Sequence, residues 1–241
     1  MKKTALITGA NKSIGFETAK QLLQQGYKVF IGSRDAGRGE KAVNELKAAG
    51  FEDVEAIALE VTDAVSISRA ADLLSSKVPH LDVLINNAGI PGTYPQEAGS
   101  VSQENLRTVF DTNFFGLIEV TQAFLPLLKQ SDAPRIVNVS SDLGSLGFNT
   151  DPGSRHYEVK PVAYNSSKAA LNMYTVILAY ELRDTTFKVN SVNPGYTATD
   201  FNNHTGYKTV EEAAAPIVKY ATIGEDGPTG KFFSDYGDTP W

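Results

Sequence analysis

The sequence contains no cysteine. The protein therefore has no disulfide, no thiolate nucleophile and no Cys-ligated metal, which fits a reducing compartment. It also lacks long hydrophobic runs, since no apolar stretch approaches the ~20 residues that a membrane-spanning helix requires. The short apolar run near the amino terminus, residues 4–8, is too short for the core of a signal peptide. We therefore expect a cytoplasmic protein without a membrane partner.

The sequence also has no excess of basic over acidic residues. The formal net charge is −6 at pH 7, whereas nucleic acids and anionic membranes attract basic surfaces. The acidic balance therefore predicts no nucleic-acid partner. The three histidines, His80, His156 and His204, are scattered without ligand spacing. We expect no metal site from them.

Short apolar runs alternate with amphipathic segments along the chain. The runs predict strands at residues 5–8, 28–33, 54–59, 81–86, 135–140, 188–193 and 231–233. The amphipathic segments predict helices that include 13–25, 40–49, 65–77, 101–128 and 161–183. Strands separated by helices favour parallel pairing with helices on both faces of the sheet. We predict an α/β fold in a single domain over 1–241, a doubly wound Rossmann sheet of about seven strands.

Three turn-rich segments remain, at residues 90–100, 142–160 and 196–207. Each follows the carboxyl end of a predicted strand, which is where open α/β sheets bind their ligands. We expect these segments to form the substrate loops. Six aromatic residues in them are candidates for an apolar pocket or for packing the loops onto the body: Tyr94, Phe148, Tyr157, Tyr196, Phe201 and Tyr207.

Tyr164 and Lys168 are four residues apart on the predicted helix 161–183. Residues at this spacing share a face, so a phenol and an ammonium can enter one pocket. A nearby cation favours the phenolate and lowers a phenol pKa that is ordinarily near ~10. The pair is suited to exchanging a proton with a carbonyl or alcohol oxygen.

Gly9 and Gly15 bracket a turn between the first predicted strand and the helix that opens near Ser13. Glycine lets the backbone approach a pyrophosphate, which then lies on the helix N-terminus. The spacing is G-x-x-x-x-x-G, with Ser13 where a middle glycine of G-x-G-x-x-G might stand. In this strand–loop–helix setting the pattern predicts a dinucleotide site.

The residues at the end of the second predicted strand indicate whether the cofactor is NAD(H) or NADP(H). NAD sites usually place a carboxylate there, whereas a 2′-phosphate requires cations. Here the strand ends at Ser33 and Arg34, and Lys12 lies in the glycine loop. Because Arg34 can contact a phosphate through two N–H groups, we predict NADP(H) in preference to NAD(H). Asp35 is the competing feature, because its carboxylate could turn toward a ribose.

Six motifs follow one another along nearly the whole chain. They are Thr8-Gly9 with Gly15, Asn86-Asn87-Ala88-Gly89, Asn113, Ser140-Ser141, Tyr164 with Lys168, and Asn193-Pro194-Gly195 with Thr199. In order and approximate spacing the chain resembles the short-chain dehydrogenase/reductase family. Gly32-Ser33-Arg34-Asp35 and the tail 227–233 look most like its NADPH-dependent, carbonyl-reductase-like members.

The resemblance implies a role for each catalytic residue. Tyr164 would be the general acid in carbonyl reduction, and Lys168 would hold the nicotinamide ribose and lower the Tyr164 pKa. Ser141, in preference to Ser140, would bond the substrate oxygen. Asn113 would hold a water that links Lys168 to solvent.

The same resemblance implies the cofactor contacts. They are Gly9, Asn11, Lys12, Ser13, Ile14, Gly15, Arg34, Glu60, Val61, Asn87, Ala88, Gly89, Tyr164, Lys168, Pro194, Gly195, Thr197 and Thr199. Two of these depart from the family pattern, because Glu60 stands for an aspartate and Ser13 for a glycine. The 22 residues between Ser141 and Tyr164 are more than usual. This longer segment leaves both a homo-oligomer and a monomer open.

These features together predict an NADPH-dependent enzyme that reduces a small to medium apolar ketone or aldehyde. Two alternatives remain at this stage. One is an NAD-dependent alcohol dehydrogenase that works in the oxidative direction. The other is a dinucleotide-binding sensor without turnover, although a pure sensor has no need of an acid placed on a helix.

Overall fold

The computed structural model describes residues 2–241. Eight strands form one sheet in the order β3-β2-β1-β4-β5-β6-β7-β8. The strands are β1 Thr4–Thr8, β2 Lys28–Ser33, β3 Val54–Ala58, β4 Val83–Asn86, β5 Arg135–Val139, β6 Lys188–Val192, β7 Lys231–Ser234 and β8 Gly237–Asp238. The first seven pair in parallel, and β8 turns back antiparallel to β7. The doubly wound α/β prediction is confirmed, with eight strands where about seven were expected.

The helices lie between the strands in sequence. They are α1 Ser13–Gln24, α2 Ala36–Ala48, α3 Ala64–Lys77, α4 Gln103–Phe110, α5 Gly116–Leu128, α6 Leu146–Thr150, α7 Val162–Glu181 and α8 Val210–Ala221. In the described part of the chain, no helix combines the length and the apolarity that crossing a membrane requires.

Alternate residues of each strand supply the two cores. In β1, Ala5 and Ile7 face one apolar cluster and Leu6 faces the other. Helices α1, α2 and α8 cover the first face, and α3, α5 and α7 cover the second. Every residue of β1, β4 and β5 is buried. A sheet buried on both faces explains why these strands are nearly continuous apolar runs.

Side-chain caps set where the helices begin. The Asp35 carboxylate accepts a hydrogen bond from the Arg38 N–H at 2.9 Å, and Asp63 accepts one from Val65 at the same distance. An N-cap carboxylate satisfies backbone donors that the first helical turn leaves free. The cap at Asp35 explains why α2 begins at Ala36, four residues before the predicted start of that helix.

The predicted helix 101–128 is interrupted by a π-helical turn, Asp111–Phe115, between α4 and α5. Gly116 directly follows the turn, and a Cβ there would lie 2.3 Å from the Val61 carbonyl oxygen. The close approach of the loop after β3 therefore requires glycine at this position. π-helical turns insert one extra residue and occur frequently at functional sites.

The segment 142–160, predicted to be a loop, contains two short helical pieces. A 3-10 turn spans Asp142–Gly144, and α6 follows it. The Ser145 hydroxyl caps α6 by accepting from the Phe148 N–H at 3.1 Å. A helix of five residues is too short to give a periodic apolar pattern, which is why this segment was predicted to be a loop.

The strand order reverses between β1 and β4. The chain first proceeds outward through β2 and β3, and then crosses to β4 on the other side of β1. The helices that follow β1 and β4 consequently lie on opposite faces of the sheet, α1 on one and α5 on the other, which leaves a crevice above the strand ends. Open α/β sheets bind ligands at such a switch point.

Candidate active site

The glycine loop lies directly against the loop after β4. The Thr8 hydroxyl accepts hydrogen bonds from the N–H groups of Asn87 and Ala88, both at 2.9 Å. Gly9 has φ 63°, and a Cβ there would lie 3.1 Å from the Ala88 Cα. A Cβ on Gly15 would lie 2.6 Å from the Asn87 amide nitrogen. Both glycines are therefore required by contact with the 87–89 loop.

Ser13, which stands where the family has glycine, adopts φ 53°. This left-handed conformation costs a non-glycine residue roughly 1–2 kcal/mol. It lets the chain turn sharply from the loop into α1. Ile14, the next residue, packs against the core cluster of that face.

A cavity of about 360 Å³ lies beside the glycine loop. Asn11, Lys12 and Ser13 line it from the loop, and Arg38 and Lys41 line it from α2. Sequence reasoning missed the last two residues. Their spacing after Arg34 places basic groups along the first turns of α2, and this pattern could have identified them once the helix was known to begin at Ala36.

Arg34 and Asp35 differ in how they are engaged. Arg34 is exposed, and within residues 2–241 it has neither an ion pair nor a side-chain hydrogen bond. The Asp35 carboxylate caps α2 and lies 3.1 Å from the Arg38 Nε. The hydrogen bond from the Arg38 backbone is the main cause that lowers the pKa of Asp35. The carboxylate is thus committed to α2, and the Arg34 guanidinium remains free for an anion.

Lys12, predicted to contact the cofactor, forms an ion pair with Asp200 at 2.6 Å. Asp200 begins a 3-10 turn, Asp200–Asn202, inside the segment 196–207. The pair joins the glycine loop to this predicted substrate loop. Both side chains are more than half exposed, so water screens their attraction and the pair is weak.

Tyr164, Lys168 and Ser141 meet at the carboxyl end of β5. Lys168 is buried, and its ammonium donates to the Val139 carbonyl at 2.8 Å. The same nitrogen lies 5.8 Å from the centre of the Tyr164 ring. Ser141 is the second residue after β5, whereas the buried Ser140 hydroxyl donates to the Asn172 amide oxygen at 2.7 Å. The structure therefore leaves Ser141, and not Ser140, beside the phenol.

Burial controls the protonation of this pair. Tyr164 keeps some accessible surface, yet the protein around its phenol raises the pKa to about 12, and hydrogen bonding with Ser141 opposes part of the rise. Burial also lowers the pKa of Lys168 to about 8. The expected lowering of the Tyr164 pKa is therefore not what the structure shows, because desolvation dominates. At neutral pH the phenol carries its proton.

Asn113 lies in the π-helical turn, and its side chain contacts the loop after β4 and helix α7. Its amide oxygen accepts from the Ile90 N–H at 2.8 Å, and its amide nitrogen donates to the Ile90 carbonyl and the Ser167 hydroxyl, both at 3.0 Å. A Cβ on Gly89 would lie 3.3 Å from the Asn113 amide oxygen and 3.6 Å from the Lys168 ammonium. Asn113, Gly89 and Lys168 are thus brought together.

The other predicted contacts lie on neighbouring loops. Glu60 accepts from the hydroxyl and the N–H of Thr62, and Val61 is buried. Glu60 is therefore engaged locally. Gly195 has φ 84°, and its carbonyl accepts from the Thr197 hydroxyl at 3.1 Å. Two further residues, Pro194 and Thr199, are buried beside these.

Gln96 supports the site and was missed by sequence reasoning. It is buried, and its amide oxygen accepts from the Tyr164 N–H at 3.2 Å while its amide nitrogen donates to the Pro91 carbonyl at 2.7 Å. The segment 90–100 is thereby fastened to the start of α7. No local pattern signals a single glutamine with this role.

The family model for short chain dehydrogenases matches residues 3–209. The chain belongs to this family. A (+)-neomenthol dehydrogenase from Capsicum annuum is 33% identical, and the alignment covers 95% of this chain and 94% of the relative. The family predicted from the motifs is confirmed, and with it an oxidoreductase.

Two solved structures resemble this short-chain dehydrogenase along its whole length. Salutaridine reductase from Papaver somniferum has a TM-score of 0.86 at 31% identity, covering 97% of this chain and 100% of that one. The NADPH-bound carbonyl reductase from chicken fatty liver has a TM-score of 0.86 at 27% identity, covering 100% and 99%. The fold around the crevice is therefore shared with enzymes named as reductases.

Gly15→Ala tests the packing of the glycine loop. The added methyl would lie 2.6 Å from the Asn87 amide nitrogen and 2.8 Å from the Gly9 carbonyl oxygen. Overpacking of this kind costs ~1–3 kcal/mol, and we expect a loss of this size in the free energy of unfolding measured with urea. Gly99→Ala is the matched control, because nothing lies within 4 Å of its added Cβ. Equal stability of the two variants would contradict the packing described here.

Lys168→Met tests the burial of the ammonium. Below pH ~8 the lysine is protonated in both the folded and the unfolded protein, so the folded state bears the full cost of burial. Between a folded pKa of about 8 and the ordinary 10.5, the unfolded chain binds more protons, so unfolding becomes harder as pH rises. Across this pH window the free energy of unfolding of the wild type should rise by roughly 3 kcal/mol relative to that of Lys168→Met.

Urea denaturation at several pH values between 7 and 10.5 measures this difference, in which groups common to both proteins cancel. Lys129→Met, at an exposed position, is the control, and its stability curve should run parallel to that of the wild type. A Lys168→Met curve that is also parallel would show that the ammonium is solvated.

Proposed function

We propose that this short-chain dehydrogenase reduces a ketone or aldehyde to an alcohol with NADPH, and that Tyr164 is the general acid. The observation that carries the proposal is the meeting of Tyr164, Lys168 and Ser141 at the carboxyl end of β5, beside the crevice. When bound, NADPH supplies the hydride that the substrate carbon accepts. The protein orients the reactants and supplies the proton.

Tyr164 gives its proton to the carbonyl oxygen as that oxygen becomes an alkoxide. Its raised pKa means that the proton is present at neutral pH. Ser141 donates a second hydrogen bond to the same oxygen. Because negative charge develops there only as the reaction proceeds, both donors bind the transition state better than the ketone.

The chain's residues fit a dinucleotide along the whole crevice. Gly9 and Gly15 let the pyrophosphate approach the N-terminus of α1, and Asn87 and Ala88 flank the adenosine side. Lys168 would hold the ribose of the nicotinamide, while Gly195 and its neighbours Pro194, Thr197 and Thr199 would border the ring. Asn113 would hold a water that links Lys168 to solvent.

The charges near the end of β2 favour NADP(H) over NAD(H). Arg34 is free of acidic partners, while Asp35 is held by α2. The cavity beside the glycine loop adds Lys41 together with Lys12 and Arg38, which are paired with Asp200 and Asp35, against the single carboxylate of Glu45. A 2′-phosphate is the group that such a cluster accommodates. The similar carbonyl reductase from chicken liver binds NADPH, which agrees with this choice.

The substrate loops 90–100, 142–160 and 196–207 favour an apolar carbonyl compound of small to medium size. Phe201 packs its edge against Tyr164 with ring centres 5.6 Å apart, and Tyr196 lies 6.2 Å from Tyr207. Tyr94, Tyr196 and Phe201 remain substantially exposed around the mouth. Aromatic walls with few polar groups select apolar ligands. The relatives named for neomenthol and salutaridine are consistent with such substrates.

Tyr164→Phe tests the acid directly. Loss of the proton donor should lower kcat on a panel of ketones and aldehydes by ~10²–10⁴-fold, measured from NADPH absorbance. The dissociation constant for NADPH, measured by fluorescence titration, should change less than about twofold because the ring remains. Tyr174→Phe is the control on the same helix, where the phenol faces Thr121. Substantial ketone reduction by Tyr164→Phe would refute the acid role.

Arg34→Ala tests the cofactor. Charge-assisted hydrogen bonds contribute ~1.5–3 kcal/mol, so the KM for NADPH should rise about 10- to 100-fold, while the KM for NADH stays nearly constant. Arg69→Ala, at an exposed position on α3, should change neither. A wild type that prefers NADH, with no response to Arg34→Ala, would favour the NAD-dependent dehydrogenase. Binding of NADPH without turnover on any carbonyl would favour a sensor.

A further inference from the structure

Asp142, the residue after Ser141, has a buried carboxylate at the centre of a polar cluster. Its side chain is 3% exposed. One oxygen accepts from the Tyr236 hydroxyl at 2.8 Å and from the Ser234 hydroxyl at 3.1 Å. The other oxygen accepts from an Arg155 nitrogen at 3.3 Å and lies 3.1 Å from the His156 Nε2. A carboxylate isolated from water in this way is tolerated because its partners satisfy it.

The partners of Asp142 come from different segments of the mouth. Arg155 and His156 belong to the segment 142–160, whereas Ser234 and Tyr236 belong to the hairpin of β7 and β8. Arg155 also donates to the Tyr207 hydroxyl at 3.2 Å, which brings in the segment 196–207.

The hairpin and the segment 196–207 are joined a second time. Lys208 directly follows that segment, and its ammonium lies 2.5 Å from the Asp235 carboxylate in the turn between β7 and β8. The Lys208 side chain is only 12% exposed, so solvent screens this ion pair less than a surface pair. The segments 142–160 and 231–238 are therefore tied to the Asp142 carboxylate directly and the segment 196–207 through Arg155, while the Lys208–Asp235 pair is a separate link to the hairpin.

The turn that Asp142 begins lies between Ser141 and α7. Ser141 accepts a hydrogen bond from the Leu143 N–H at 3.2 Å, so its hydroxyl is oriented by the turn that Asp142 begins. That turn packs tightly on α7, because a Cβ on Gly144 would lie 2.8 Å from the Lys168 carbonyl carbon. A shift of the turn would move Ser141 against both Lys168 and Tyr164.

We infer that Asp142 is a positioning residue, which fixes the Ser141 turn and holds the segments 142–160, 196–207 and 231–238 together around the substrate. The kinetic part of this inference rests on the proposed role of Ser141. The carboxylate suits this cluster because each of its two oxygens accepts hydrogen bonds. An asparagine of the same shape would turn an NH₂ group toward donors.

Hydrogen–deuterium exchange of the full chain tests the structural part without any substrate. In Asp142→Asn, backbone amides in all three segments should exchange at least about tenfold faster than in wild type, since the loss of their common anchor lets them open locally. Asp151→Asn is the matched control, because this exposed carboxylate of the same segment accepts only from the Gly153 N–H. Unchanged exchange in Asp142→Asn would overturn the inference.

Steady-state kinetics test the positioning of Ser141. Asp142→Asn should lower kcat/KM for a reduced ketone by about 10- to 100-fold, since small misplacements of a reacting group have effects of this size. The NADPH dissociation constant should be unchanged. In a Ser141→Ala background the same substitution should have little further effect on kcat, because residues that act as one unit are not additive. Equal losses in both backgrounds would overturn the positioning role.

Tyr236→Phe covers the case in which Asp142→Asn does not fold. It removes one hydroxyl from the cluster and leaves the carboxylate with its other partners. The rise in amide exchange in the same segments and the fall in kcat/KM should therefore both be smaller than in Asp142→Asn. No change in either would count against the inference. If no carbonyl compound is reduced by the wild type, the proposed function fails, while the exchange experiment still decides whether Asp142 anchors the mouth.

Discussion

The hydroxyl of Thr8 is the contact on which the geometry of the crevice depends. It accepts hydrogen bonds from the N–H groups of Asn87 and Ala88. These bonds join the ends of β1 and β4 at the point where the strand order reverses. Backbone donors buried beside a ligand site need partners, and one side chain at the end of β1 satisfies two of them. The glycines on either side then allow the loops to approach without a collision.

A second anchor lies across the crevice, where the Lys168 ammonium binds the last carbonyl of β5. A buried ammonium is costly unless it is hydrogen-bonded, and this bond fixes α7 in depth above the sheet. Because Tyr164 lies one helical turn before Lys168, the same bond also sets its position. Gln96 anchors the start of the helix. The Tyr164 phenol is therefore located by contacts with a strand and a loop, and only partly by its own helix.

Much of the sheet, and the placing of Tyr164 and Lys168 on one helix, could be predicted from the sequence. Continuous apolar runs marked the buried strands, and the four-residue spacing of Tyr164 and Lys168 placed them on one face of a helix. Features that depend on contacts between distant segments could not be read in this way. Gln96 carries no local pattern, and the partners of Asp142 are separated from it by up to 94 positions. The depth at which the phenol is buried, which sets its pKa, is likewise a property of the assembled fold.

The π-helical turn Asp111–Phe115 has a consequence for how this stretch tolerates change. Because the turn already holds one residue more than an α-helical turn, deleting one residue would restore a continuous helix and keep Val120 and Phe124 facing the core, whereas a further insertion would rotate α5 by about 100°. Many individual side chains in the turn could be exchanged without that rotation. Here chain length carries structural information of its own, since a deletion would remove the turn that places Asn113 and an insertion would disturb the packing of α5.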